Sequence, residues 1–253
     1  MGEHQVLGRQ IPRADLLEKR QCTCGVEPLK NCDFWKEIEL ELTNNHKLSL
    51  GKLDLDADDD LVFQQHNHAF FKAIEKISEQ NIIVDSSKNW NRLERLQQAG
   101  FEVTPIRLQR SIYGVVNSAI KYQKNWWQQT FNYWYYYQKL FETAGNNFPN
   151  LQYEALVSEP EAQLSQLMEA LSLSFEADQL NWATADSHYI GGNPMRYQKE
   201  SSLKIDYAWK RELSWFKKAV IGGFALISKL PNSLQFGLYK GISALKFIFK
   251  FGR

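Results

Sequence analysis

Cysteine is scarce in this 253-residue chain: there are three, Cys22, Cys24 and Cys32, all within one short stretch. An odd number so grouped does not suit a disulfide framework. No His or fourth Cys follows at metal-ligand spacing, and His46 is the next histidine. Free thiols are therefore the expectation, with zinc the minor alternative. No apolar run reaches the length of a transmembrane helix. The start, MGEHQVLGRQ, has no apolar signal core, so a cytoplasmic location is expected. The acidic run LDLDADDD lacks the central Gly and closing Glu of an EF-hand loop, which leaves a solvated loop and a helix cap. The aromatic run NWWQQTFNYWYYYQKLF (125–141) lacks interleaved Arg and Lys, which argues against nucleic acid as a partner.

What is present is ordinary for a globular protein: 43% hydrophobic and 23% charged residues, with a high aromatic share of 13%. The length suits one α/β domain with a sizeable core. The net charge of +1 conceals an asymmetry. Residues 1–202 hold 20 basic and 27 acidic side chains, whereas residues 203–253 hold 10 and 2. This divides the chain into an acidic body, 1–202, and a basic, apolar, helical extension, 203–253. In the extension, Lys246 and Lys250 share a helix face among Leu245, Phe247, Ile248 and Phe249. Such a helix suits a membrane surface through residues 215–253, a docking contact with another subunit, or the last layer of the core.

The body alternates strand and helix patterns. Helices are expected near Arg13–Lys19, Phe34–Leu42, 60–80 (capped by Asp58–Asp60) and Arg92–Ala99, the last closed by Gly100. Asn81–Val84 reads as a strand that turns at Asp85–Lys88. His66 and His68 are two apart on one helix and make poor co-ligands. Leu151–Leu156 reads as a further strand, before a helix that starts at Pro160. The aromatic run is either a packed helix or a stacking surface for an acceptor.

The most informative stretch is FEVTPIRLQRSIYGVVNSAIK (Phe101–Lys121). Phe101, Val103 and Ile106 to Leu108 form an apolar, partly alternating run, expected as a half-buried or buried strand. Helical spacing follows in Ile112, Val115, Val116, Ala119 and Ile120. A strand feeding a helix is half of a parallel βαβ unit, and ligands bind beyond the carboxyl ends of such strands. Arg110 stands at that edge, and Ser118 lies two helical turns on. Together they could grip one phosphate, the Arg through forked, charged hydrogen bonds. Near residue 190 a loop with Gly191, Gly192 and Arg196 offers backbone N–H groups and a fixed positive charge.

The spacing of Arg110 and Ser118 resembles the 3′-phosphate-binding motif of sulfotransferases that use 3′-phosphoadenylyl sulfate. IIVDSSK (Ile82–Lys88) before it, YIGGNPMR (Tyr189–Arg196) after it and CTCGVEPLKNCDFW (Cys22–Trp35) resemble further segments of the bacterial, cyanobacterial-type branch related to carbohydrate sulfotransferases. The resemblance covers roughly residues 2–200. It implies a P-loop-like three-layer fold with a parallel sheet flanked by helices. It also implies that Arg110, Ser118, Gly192 and Arg196 hold the nucleotide, that Lys88 lies near the sulfuryl group, and that Glu3 is the candidate general base. The chemistry it implies uses 3′-phosphoadenylyl sulfate as donor, needs no metal, and acts on a hydroxyl or amine of a glycan, lipid or small metabolite. The family's Gly/Arg/Ser-rich loop for the 5′-phosphosulfate, with the strand before it, is missing by this comparison. Two other functions therefore stay open: a non-catalytic nucleotide-binding relative, and a membrane-surface interaction protein.

Overall fold

In the computed structural model the described residues are 5–7, 14–87, 89–122, 125–133, 148–185, 187–188 and 203–227. The chain forms two compact units, one of residues 1–104 with 176–202, the other of residues 105–175 with 203–253.

In the first unit, strand β1 (Gln5–Leu7) pairs in parallel with β2 (Ile83–Asp85), Gln5 opposite Ile83 and Leu7 opposite Asp85. Among the described residues the α-helices between them in sequence are α1 (Ala14–Lys19), α2 (Asp33–Glu41) and α3 (Asp60–Ser78). Apolar side chains recur at helical spacing, Trp35, Ile38 and Leu42 from α2 and its end, Phe70, Ala73 and Ile74 from α3, and all are buried. The Trp35 and Phe70 rings stack with centroids 6.4 Å apart. Leu50, Leu53, Leu55, Cys22 and Cys32 complete this core. Asp59 caps α3 by accepting the Val62 N–H at 2.9 Å, the role expected of the acidic run. After β2, α4 (Trp90–Gln98) ends at Gly100, whose φ of 84° suits a residue without Cβ.

A buried arginine organises this unit. Arg92, 5% exposed, donates from Nε to Asp85 Oδ2 at 2.8 Å, from its guanidinium to Asn67 Oδ1 at 2.6 Å, and to the Leu55 carbonyl. Asn67, fully buried, donates in turn to the Leu55 and Phe63 carbonyls. The charge is thus paired and its hydrogen bonds are met, the condition for burying an ion.

In the second unit, β3 (Arg107–Gln109) pairs in parallel with β4 (Asn150–Gln152), Leu108 opposite Leu151. Between them run α5 (Ile112–Lys121) and α6 (126–133). α7 (Tyr153–Ser158), α8 (Pro160–Ala170), α9 (Trp209–Glu212) and α10 (Trp215–Ile227) follow. Val116 of α5 packs with Ile221 of α10, both fully buried, and Tyr113 stacks on Trp209 at 4.7 Å. Within the described part of the C-terminal extension, Ile221 and Phe224 therefore serve as core; the rest, 228–253, lies outside the described residues. In the aromatic run, Phe131 is buried and Trp126 and Tyr133 pack against the core, while residues 134–141 lie outside the described residues.

Two strands differ from expectation. In place of a strand over Leu151–Leu156, the extended part is Asn150–Gln152 and Tyr153–Ser158 is a helix. The run from Phe101 forms a strand only at Arg107–Gln109. Pro105 offers no N–H to a ladder and restricts Thr104 before it, so pairing starts two residues later. Phe101 and Val103 instead pack on Ala57, Phe63 and Leu96. Ile106 and Leu108, expected to be buried, are 43% and 62% exposed, and Gln109 is the buried member of β3. The described residues give mixed helix and sheet with two short parallel pairs.

Candidate functional site

Arg110 leaves β3 one residue before the helical turn that Ser111 opens. Three contacts hold it in place. Its carbonyl accepts the Tyr133 hydroxyl at 2.6 Å, its guanidinium lies 4.7 Å from the Tyr153 ring centroid, and it donates to Asp206 Oδ2 at 3.1 Å. The next N–H, that of Ser111, is held by Glu154 Oε1 at 3.0 Å. The guanidinium then runs along α5: a Cβ placed on Gly114 would meet its Nε at 2.9 Å and its central carbon at 3.3 Å. A glycine in a helix interior costs stability, and here it clears the strip on which the cation rests. Ser118, half-buried, stands one turn beyond Gly114 on that same strip. The two residues paired by the sequence reading thus lie along one stripe of α5, Gly114 between them.

Two carboxylates face this helix from the segment before α10. Asp206 accepts the Ala208 N–H at Oδ1 and Arg110 at Oδ2, and these contacts hold its carboxyl below the ordinary carboxylate range. Glu212 accepts Asn117 Nδ2 at 2.7 Å and pairs with Lys121 at 3.2 Å, with the same effect on its carboxyl. Arg110 just before α5, with Asn117, Ser118 and Lys121 on it, makes a surface that can bind anionic oxygens; Asp206 and Glu212 engage it here.

The turn after β2 is built differently. Asp85 accepts the Ser87 N–H at Oδ1, 2.8 Å, and Arg92 at Oδ2. This turn leads into Lys88, which lies outside the described residues, as do Glu3, Gly192 and Arg196. His66 accepts the Asp54 N–H at 2.9 Å, and the His68 ring lies against Phe101, so both are engaged in the local structure.

A second constellation, unforeseen from spacing, lies within the first unit. Cys22, Cys24, Cys32 and His188 place their four ligand atoms within 4.8 Å of one another. His188 Nδ1 is 3.5 Å from Cys22 Sγ and 3.3 Å from Cys32 Sγ, and Cys24 Sγ is 3.6 Å from Cys32 Sγ. Burial pushes the Cys22 thiol up to about 12, against the opposing pull of the Cys24 N–H, and burial raises Cys32 likewise. The signal the sequence carried was three of the set's four members, the cysteine cluster. Its fourth member sits 156 residues beyond Cys32. Gly114, Asp206 and Glu154 were equally unread; of these only Gly114 left a trace, a glycine inside a helical pattern.

No family model matches the chain, and no curated protein matches it. Two solved structures are similar to it, both sulfotransferase domains. The sulfotransferase domain from the curacin biosynthetic pathway shares 16% identity, with 91% of this chain and 100% of that chain covered and a TM-score of 0.48. The sulfotransferase domain from the Synechococcus PCC 7002 olefin synthase shares 16% identity over 87% of this chain and 86% of that one, with a TM-score of 0.45.

Proposed function

We propose that this chain is a sulfotransferase that moves a sulfuryl group from 3′-phosphoadenylyl sulfate to a hydroxyl or amine of a glycan, lipid or small metabolite. The observation that carries the proposal is the lie of Arg110 along the Gly114–Ser118 strip of α5, at the carboxyl end of a parallel strand. There the guanidinium and the hydroxyl address one phosphate, the nucleotide's 3′-phosphate. In the same reading Gly192 and Arg196 assist at the nucleotide, Lys88 stabilises the leaving phosphate oxygen, and Glu3 takes the acceptor's proton. The acceptor oxygen or nitrogen bonds to sulfur, the sulfur–oxygen bond to the 5′-phosphate breaks, and adenosine 3′,5′-bisphosphate leaves. The reading carries with it a P-loop-like three-layer fold.

Calorimetric binding of adenosine 3′,5′-bisphosphate to the chain tests it, together with transfer from the donor to a panel of hydroxyl and amine acceptors. Arg110→Ala removes a charged contact worth about 1.5–3 kcal/mol, so affinity should fall about tenfold or more. Equal affinity in the variant would refute the assignment of Arg110. Binding without transfer would favour a nucleotide-binding relative that does no chemistry.

A second reading has its own observation. No helix among the described residues is long and apolar enough to cross a membrane. Yet α10 exposes Trp215 (79%), Phe216 (56%) and Leu226 (68%) while burying Ile221 and Phe224. We propose that this face rests on an anionic membrane surface, the basic residues in the sequence 228–253 adding to the attraction.

A further inference from the structure

We propose that Cys22, Cys24, Cys32 and His188 form a closed, tetrahedral zinc site that staples the first unit. The inference is independent of the sulfotransferase reading and adds a metal where the sequence reading expected none.

The distances carry it. Zinc binds thiolate sulfur at about 2.3 Å and imidazole nitrogen at about 2.0–2.1 Å, which sets tetrahedral edges of about 3.8 Å between sulfurs and about 3.6 Å between sulfur and nitrogen. The Cys24 and Cys32 sulfurs are 3.6 Å apart, His188 Nδ1 lies 3.5 Å from the Cys22 sulfur and 3.3 Å from the Cys32 sulfur, and all four ligand atoms lie within 4.8 Å of one another. Hydrogen bonding accounts for less. Nδ1 of one imidazole holds one proton or one lone pair, so it serves a single thiol well, yet two thiols stand at it. A disulfide would need sulfurs about 2.05 Å apart and would leave a cysteine and the histidine without a role.

Local structure explains how residues so placed converge. The Cys22–Val26 segment folds back on itself, with Gly25 N–H bonded to the Cys22 carbonyl and Cys22 N–H to the Val26 carbonyl, both at 2.9 Å. Gly25 takes a φ of 97°, open to a residue without Cβ. This turn carries Cys22 and Cys24 onto one side. Cys32 immediately precedes α2 and, like Cys22, is part of the buried core. The histidine is oriented by its neighbours: Phe34 stacks on the imidazole with centroids 4.7 Å apart and planes 7° apart, and Thr23 Oγ1 donates to the Ser187 carbonyl. Such supporting contacts are what ligand residues require to hold their geometry. Cys24 is exposed, which leaves the ion a path in.

Three thiolates and an imidazole suit zinc over harder cations, and four protein ligands leave no open position, so the role is structural. Binding releases the three thiol protons and leaves a site of net charge −1. It ties the turn at 22–32 to a segment 156 residues away from Cys32, inside one compact unit.

The full chain, purified in reducing buffer with zinc supplied, should carry about one zinc per molecule by elemental mass spectrometry. Cobalt should replace it and give the intense visible bands of a tetrahedral thiolate centre. Cys24→Ser, at an exposed position, and His188→Asn should each weaken zinc binding by more than tenfold. Should a variant fail to fold, the cobalt titration of the wild-type chain decides alone. Folded wild-type chain that takes up no zinc and gives no tetrahedral cobalt spectrum overturns the site. A Cys24–Cys32 disulfide that persists in reducing buffer overturns it as well.

Discussion

The guanidinium of Arg110 occupies the space that a side chain at Gly114 would fill, with Nε 2.9 Å from the place of the missing Cβ. Gly114→Ala should therefore act on binding more than on folding. Helix propensity favours Ala by about 1 kcal/mol, and the displaced head is the far end of a flexible side chain. The melting temperature should stay level or rise, while affinity for adenosine 3′,5′-bisphosphate drops. A calorimetric titration beside a thermal melt checks both. An unchanged affinity would mean that the phosphate does not use Arg110 as it lies here.

Asp206 Oδ2 accepts from the Arg110 guanidinium at 3.1 Å, so under the proposed function it competes with the nucleotide's phosphate for that cation. Asp206→Asn keeps an oxygen for the Ala208 N–H but removes the charge that competes with the nucleotide. For this partly exposed pair the gain is about 0.5–1 kcal/mol, so affinity should rise about two- to fivefold. A fall in affinity would place Asp206 among the groups that help binding.

The same carboxylates set an acid limb. Asp206 and Glu212 both titrate below their ordinary values in the folded chain. Their stabilisation is thus fully present above the unfolded carboxylate values and is lost as pH falls through the depressed folded ones. Between about pH 5 and about pH 3 the wild-type chain should lose stability more steeply than an Asp206→Asn, Glu212→Gln variant. Parallel urea midpoints across that window would contradict the pairing.

Arg92 should be costly to remove. Arg92→Met strips hydrogen bonds from Asp85, Asn67 and the Leu55 carbonyl together and leaves Asp85 without its partner. Breaking a buried ion pair from one side costs about 3–5 kcal/mol, readable as a shifted urea midpoint. Adding Asp85→Asn should recover part of that loss, because the stranded charge goes with it.

On α10, Trp215→Ser with Phe216→Ser should leave stability within about 0.5 kcal/mol, since both rings are largely exposed. Sedimentation with anionic vesicles should weaken for this variant if the face meets lipid. Equal sedimentation would assign those rings elsewhere.

Helices with strong periodicity were legible before any coordinates. The expected 60–80 helix is Asp60–Ser78 with its aspartate cap, and the helix after Arg110 is Ile112–Lys121. The short strands were less so. Gln5–Leu7 is three residues without a pattern, and only its parallel partner Ile83–Asp85 defines it. Pro105 outweighed the apolar alternation before it. Arg92 reads as a polar residue on an amphipathic helix, and nothing local reveals that Asp85 and Asn67 meet it in the interior. The alignment of Arg110 with Ser118 was readable because Arg110 stands just before α5 and Ser118 lies two turns along it. The cysteine–histidine set was not, because its last member arrives through the tertiary fold.

The division of the chain bears on the order in which it can fold. The first unit is written in two instalments, 1–104 and 176–202, with residues 105–175 intervening. During synthesis the opening instalment emerges with the Cys22–Cys32 turn already present but without Ser187 and His188 to close over it. That unit reaches its final form only after residues 176–202 have been made. With the zinc site proposed above, three thiols in the nascent chain await a histidine made 156 residues after Cys32, and closure of the site requires that they stay reduced over that interval.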